Sequence, residues 1–255
     1  MSIDRKKIAL SMLRNSQVIY VIMSQCTHLP YVACDTETYD DEIFVYFTEK
    51  EAKEKAGQLI KEKNPVQILK VENKSFLVFY TSLYSMGVNC LVVGDGTSQR
   101  TAVQLDEFIH RHSVEKLPKG QVRVENPEFH LTAIYFVQEL RKQQNSEQNA
   151  EMTKELKELN DEMLVHFREG RFILATQEDK GIPILKQKDG QVYQPLFTDI
   201  QEFQKFNREN KFKALVIDSD KVVNVLSKES VGVVVNPFGV NVRFQIARKD
   251  MKKTR

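Results

Sequence analysis

The chain has 255 residues, 41% hydrophobic and 28% charged, enough for one large or two ordinary globular domains with a real apolar core. Its 37 basic and 35 acidic residues leave a formal charge of +2, too small to favour nucleic acid as a partner. No apolar run approaches the roughly eighteen residues of a membrane-spanning helix, and Cys26, Cys34 and Cys90, an odd number, argue against a disulfide framework and for a reducing cytoplasm.

The opening MSIDRKKIALSMLRNSQ spaces Ile3, Ile8 and Met12 as an amphipathic helix does, and it lacks the continuous apolar core of a signal peptide. Strand-like runs follow at QVIYVIM (17–23) and LPYVACD (29–35). In VYFTEKEAK (45–53), Phe47 should close a short strand and Thr48 should start a helix. A threonine N-cap holds a free amide of the first turn, and a Glu three residues on reaches back to the cap. Glu51 stands there, and Ala52, Ala56, Leu59 and Ile60 follow at helical spacing. An apolar strand VQILKV (66–71), a short helical pattern through Phe76, Leu77, Tyr80 and Tyr84, and a buried strand in SMGVNCLVV (85–93) complete the first set. Gly87 suits the left-handed end of that second helix. GDGTSQ (94–99) lacks a Walker lysine and is no GxGxxG turn, so it reads as a loop, and AVQLDEFIHRH continues as a helical pattern.

Asn126 and Pro127 read as cap and first helical residue of a helix burying Phe129, Ala133, Phe136, Val137 and Leu140. The run 141–149 has no apolar residue and marks an end or a bend. A further helix carries Met152, Leu156, Leu159, Met163 and Phe167 and stops near Gly170.

The second half then repeats the first. RFILATQ (171–177) and IPILKQK (182–188) precede PLFTDIQEF (195–203), where Phe197 ends a strand, Thr198 is the expected cap and Gln201 its box partner. Ile200, Phe203 and Phe206 give the helix, FKALVI (212–217) the next strand, and Val222, Val223 and Leu226 a second short helix. SVGVVVNPF (230–238) closes the set with Gly232 in the place expected of Gly87, before a last strand at VNVRFQI (240–246). The spacing between copies drifts only from 150 (48 to 198) to 145 (87 to 232). The reading is an α+β fold of two duplicated mixed-sheet domains, 1–125 and 170–255, joined by a helical connector at 126–169; the basic end ARKDMKKTR (247–255) reads as a solvated tail.

The segments GQVYQPLFTDIQEFQKF (190–206) and SVGVVVNPFGVNV (230–242) resemble the N-terminal domain of the serine-sensitivity-enhancing (SseB) protein family. Pro195, Phe197 and Thr198 match its "P-x-FT" junction; Asn236, Pro237 and Gly239 match its "INP-x-G" segment, with Val235 in place of the isoleucine. The first half keeps Phe47 and Thr48 but has CLVVGDG where the Asn-Pro segment should stand. The resemblance implies a bacterial cytoplasmic α+β protein without agreed biochemical activity, and a suggested link to rhodanese-type sulfurtransferases. It brings no catalytic residues.

The candidate sites are few. NPFGV (236–240) reads as a turn, with the functional alternative that Asn236 and Phe238 rim a groove for a ligand or partner. Cys26, His28 and Cys34 have the ligand types that zinc prefers, but their spacing matches no finger and a fourth ligand is missing. Cys90 falls in a buried strand, where a thiol is inert. The residues the halves share have folding roles, whereas the polar positions differ. The expectation is therefore a non-catalytic protein, monomer or weak homodimer, with no cofactor or metal, that binds another protein or a small ligand and neither nucleic acid nor membrane. The rival is a thiol- or metal-dependent enzyme, or a sulfurtransferase accessory, built on Cys26, His28 and Cys34.

Overall fold

A computed structural model of the protein describes residues 2–111, 122–146, 151–178 and 181–247. His112, residues 147–149 of the polar run and 248–255 of the basic tail lie outside the described residues. The chain divides into two compact units, Met1–Arg123 with Pro127–Met163, and Val124–Asn126 with Leu164–Arg255.

The first unit opens with helix α1 (Ser2–Asn15) and builds one mixed sheet from β1 (Val18–Ser24), β2 (Val32–Cys34), β3 (Asp41–Tyr46), β4 (Val66–Glu72), β5 (Cys90–Val93) and β6 (Thr101–Gln104). Its order is β4-β1-β3-β5-β6, with β2 added on β3. Only β3 and β5 run parallel; the other pairings are antiparallel. Helix α2 (Glu49–Lys61) links β3 to β4 and puts Ala52, Ala56 and Leu59 onto Ile22, Phe44, Tyr46 and Val92. Those three residues fall at the four- and three-residue intervals that make one helical face, and burial of a leucine of this kind is worth about 1.5–3 kcal/mol. Helix α3 (Phe76–Ser85) contributes Tyr80, whose hydroxyl donates to the Leu13 carbonyl at 3.1 Å and whose ring meets Phe108 edge-on at 4.7 Å.

The helical pattern expected from residue 102 begins instead as strand. β6 pairs Val103 with Leu91 and buries it completely, and only Leu105–Phe108 turn helical, as α4. The open edge of β5 captures a segment whose own periodicity was ambiguous, an instance of tertiary pairing overriding local pattern. Helices α5 (Pro127–Ser146) and α6 (Lys154–Glu169) follow. Pro127–Ser146 packs with the first unit: the Gln138 carboxamide donates to the Val32 carbonyl at 2.9 Å and accepts the Val32 amide at 3.2 Å, as a neighbouring strand would.

The second unit takes the end of α6, then β7 (Arg171–Thr176), β8 (Leu185–Lys186), β9 (Val192–Phe197), helix α7 (Ile200–Phe206), β10 (Lys213–Asp218), helix α8 (Val222–Val225), β11 (Gly232–Val235) and β12 (Val242–Gln245). The sheet order is β10-β7-β9-β11-β12 with β8 on β9, and again only the central pair, β9 and β11, is parallel. Strand for strand, this is the order of the first sheet. The protein is therefore an α+β structure of two mixed six-stranded sheets. Pro195 is tolerated inside β9 because β8 pairs only with Val192 and Tyr193 while β7 pairs only with Leu196 and Phe197, so no ladder bond is asked of its missing N–H on that side. Phe167 at the end of α6 stacks on Phe244 of β12 at 4.6 Å and meets Phe172 at 5.1 Å.

The two glycines expected to be equivalent do different things. Gly87 has φ +80 and ends α3 in a Schellman arrangement, its N–H on Tyr84 O and that of Val88 on Leu83 O. Gly232 is instead the first residue of β11, where a Cβ would lie 1.9 Å from the Phe244 carbonyl oxygen. Close backbone approach, not a left-handed turn, demands glycine there. Gly232→Ala should consequently disrupt the β11–β12 pair and lower stability by more than about 3 kcal/mol, read as a fall in urea midpoint. A loss under about 1 kcal/mol would contradict this packing.

Candidate functional site

In each sheet the carboxyl ends of the parallel pair bring together a helix start and a tight turn. Val45 O accepts the Gly94 N–H at 3.0 Å, and Leu196 O accepts the Asn236 N–H at 2.9 Å. The turn then closes with Thr97 N–H on Gly94 O at 3.1 Å, and Gly239 N–H on Asn236 O at 2.9 Å. Gly94 and Asn236 both take left-handed φ values, +64 and +49, a conformation that asparagine tolerates better than other side chains. GDGT in the first sheet thus occupies the position of NPFG in the second.

The first position of the turn, glycine in one and asparagine in the other, decides how each helix start is held. The Asn236 carboxamide accepts the Thr198 N–H at 3.0 Å and donates to the Thr198 hydroxyl at 2.8 Å. That hydroxyl donates to the Asp199 carboxylate at 2.7 Å. The other carboxylate oxygen of Asp199 accepts the amides of Gln201 and Glu202 at 2.9 and 3.0 Å. Asp199, not Thr198, is therefore the N-cap of α7, and Gln201 is a capped amide, not a box partner. Asp199 and Glu202 are themselves three residues apart, so a capping pattern one residue later was already legible. Thr198, Asp199 and Asn236 are all buried. Asn126 also departs from expectation: its carboxamide donates to the carbonyls of Thr198 and Arg171, at 2.8 and 2.7 Å, and accepts the Arg171 amide at 3.2 Å.

With glycine at position 94, Thr48 meets no such partner and stays exposed. It caps α2 as expected, accepting the Glu51 amide at 3.3 Å. Glu51 closes the box differently, its carboxylate taking the Thr48 hydroxyl at 2.7 Å.

Phe238, on the second turn, is 53% exposed and leans on Phe206 with ring centroids 6.0 Å apart. Gly239 leaves room for Glu202, which is 3% exposed, pairs with Lys205, and has one carboxylate oxygen without a hydrogen-bond partner among the described residues. Nothing in the sequence distinguished Glu202 from a solvated helix glutamate, because its burial depends on the missing Cβ of Gly239.

Cys26, His28 and Cys34 do not assemble into a ligand set: no group of three or more His, Cys, Asp or Glu able to hold a metal occurs among the described residues. Cys26 is half-buried, and His28 is a left-handed turn residue, φ +56, whose N–H bonds Ser24 O at 3.0 Å. Cys34 is exposed at the end of β2. Partial burial, then the charges of Asp41, Asp35, Glu42 and Asp40, push its thiol up, away from the thiolate that nucleophilic or ligand chemistry needs. Burial pushes Cys90 up to about 12. The GDGTSQ turn has a structural use, with Asp95 bonded to Lys55 at 2.6 Å and Arg100 at 3.1 Å.

Residues 136–251 match the SseB protein N-terminal domain. This part of the chain is an SseB family domain. The match begins within α5 and takes in α6, so the SseB domain extends upstream of β7. No curated protein matches the chain. Among solved structures, Tic22 from Plasmodium falciparum is 14% identical over 88% of this chain and 90% of that one, with TM-score 0.23. Anabaena Tic22, described as protein transport, is 14% identical over 89% and 92%, with TM-score 0.22. No helix among the described residues is long and apolar enough to cross a membrane.

The SseB turn makes a graded prediction. Asn236→Ala strands the buried Thr198 amide and puts an alanine at positive φ, so it should cost about 3 kcal/mol. Asn236→Gly relieves the strain and should cost about 1 kcal/mol less. Thr48→Ala removes only an exposed cap, about 1 kcal/mol. Denaturant midpoints in any other order would show that the node does not organise this domain.

Proposed function

We propose that the protein acts by binding a protein partner through its SseB domain, and that it is not an enzyme. One observation carries this reading. At the carboxyl ends of β9 and β11 the polar groups of Thr198, Asp199 and Asn236 are engaged with one another and one oxygen of Glu202 is left over but buried, while the side chains two residues beyond Thr198 and Asn236 are Ile200 and Phe238, 48% and 53% exposed. Rigidly held aromatic and aliphatic groups with no polar function to offer are contact surface, not catalytic equipment. The edge strand β10 adds to it, with Leu215 and Val216 on its two faces 53% and 47% exposed. A strand apolar on both faces is the pattern of a sheet interior, and one paired on a single side, as β10 is with β7, is suited to accept an added strand on the other.

The first domain is read as a divergent copy of the second, supported by the shared strand order and the equivalent turns at Gly94 and Asn236. A reducing bacterial cytoplasm fits the three free cysteines, and the small net charge speaks against nucleic acid.

Complementation of a deletion strain of the source organism separates this reading from the enzyme built on Cys26, His28 and Cys34. A chain carrying Ile200→Ser and Phe238→Ser should fold, since both residues are half-exposed, yet fail to complement. One carrying Cys26→Ala and Cys34→Ala should complement fully. The reverse pattern would overturn the binding reading.

A further inference from the structure

Within the first unit, a cavity of about 370 Å³ opens between β2, the residues after α2, and helices α5 and α6. Its size is that of a small-molecule site. Its polar lining falls into two sets. Gln138 is consumed by Val32, Tyr135 donates its hydroxyl to Asp41 at 2.6 Å, and Lys142 is tied to Glu139 at 3.1 Å. The second set is uncommitted. Asn64 is only 6% exposed, yet its carboxamide makes no hydrogen bond among the described residues, and it lines this cavity. Tyr31 and Glu155 line the same space, and their side chains make no hydrogen bond among the described residues.

The Asn64 residue is otherwise buried and its carboxamide has no partner among the described residues, so it is reached only from the cavity and is free to bond whatever enters there. The charge of the lining gives the ligand's sign. Two carboxylates, Glu139 and Glu155, face one ammonium, that of Lys142, and Glu139 already holds it. The Tyr31 hydroxyl is pushed up to about 12 by burial first, then by the charges of Glu62 and Glu139, which places it in a negative field.

We infer that this cavity binds a small organic cation, an ammonium or guanidinium compound, with Glu155 supplying the charge partner and Asn64 and Tyr31 supplying hydrogen bonds. Val32, Ala33 and Leu159 provide the apolar wall for its carbon chain. The site is separate from the SseB turn and its ligand is of a different kind, so it stands or falls independently of the protein-binding surface.

The test is NMR titration of the full chain, following the Asn64 side-chain amide, with 1,4-diaminobutane and agmatine as cationic probes and succinate as the anionic one. The cations should shift the Asn64 resonances saturably at millimolar concentration or below, and succinate should not. Glu155 is an exposed helix residue, so Glu155→Gln should fold normally and weaken cation binding about tenfold. Three outcomes would overturn the inference: no saturable shift with either cation, a succinate shift equal to theirs, or cation binding unchanged in Glu155→Gln.

Discussion

Asn236 has one carboxamide to offer, and both ends of it go to Thr198. That pair of bonds closes the gap between two parallel strands at the point where each must leave the sheet. Strand β9 turns into a helix there, and β11 turns back toward β12. A parallel pair has no hairpin to hold its ends, so something else must fix where the strands stop. Here it is a buried polar node that continues through the Thr198 hydroxyl to Asp199, and from Asp199 to the first amides of α7. Because Thr198, Asp199 and Asn236 are buried, the bonds among them are obligatory: an unmade one costs the desolvation of its donor.

The first sheet solves the same problem with less. Gly94 bends the chain as Asn236 does but contributes no side chain, and the helix start is left to the exposed Thr48. Stiffness there comes from charge, with Asp95 of the turn holding Lys55 and Arg100. One topology thus tolerates a neutral buried node at one carboxyl end and a partly exposed ionic one at the other. That contrast explains why polar positions differ between halves whose apolar positions agree.

Most of the architecture was legible in the sequence because alternating and helical apolar patterns report burial directly. The strands other than β6, the helix after each Phe-Thr pair, and the mixed-sheet class all followed from that. What failed was what depends on non-local contact. Gly232 sits in the same Ser-x-Gly-Val pattern as Gly87, but only the approach of Phe244 reveals why it is glycine. Thr198 carries the local signature of a cap, and it took Asn236, 38 residues away, to draw its hydroxyl elsewhere. NPFGV forms the turn its sequence indicates, and against the alternative of a groove rim the Asn236 side chain turns inward. Only Phe238 beside it remains at the surface. Asn64, in the first unit, gave no signal at all, because an unbonded carboxamide is visible only once the cavity around it is formed.

Amide hydrogen exchange at Thr198 tests the central role of the node most directly. If the Asn236 bond organises the domain, the Thr198 amide should exchange only through global unfolding, with the same protection as Val234 in the neighbouring strand, whereas the Glu51 amide under its exposed threonine cap should exchange sooner. A Thr198 amide that exchanges as fast as that of Glu51 would contradict the account.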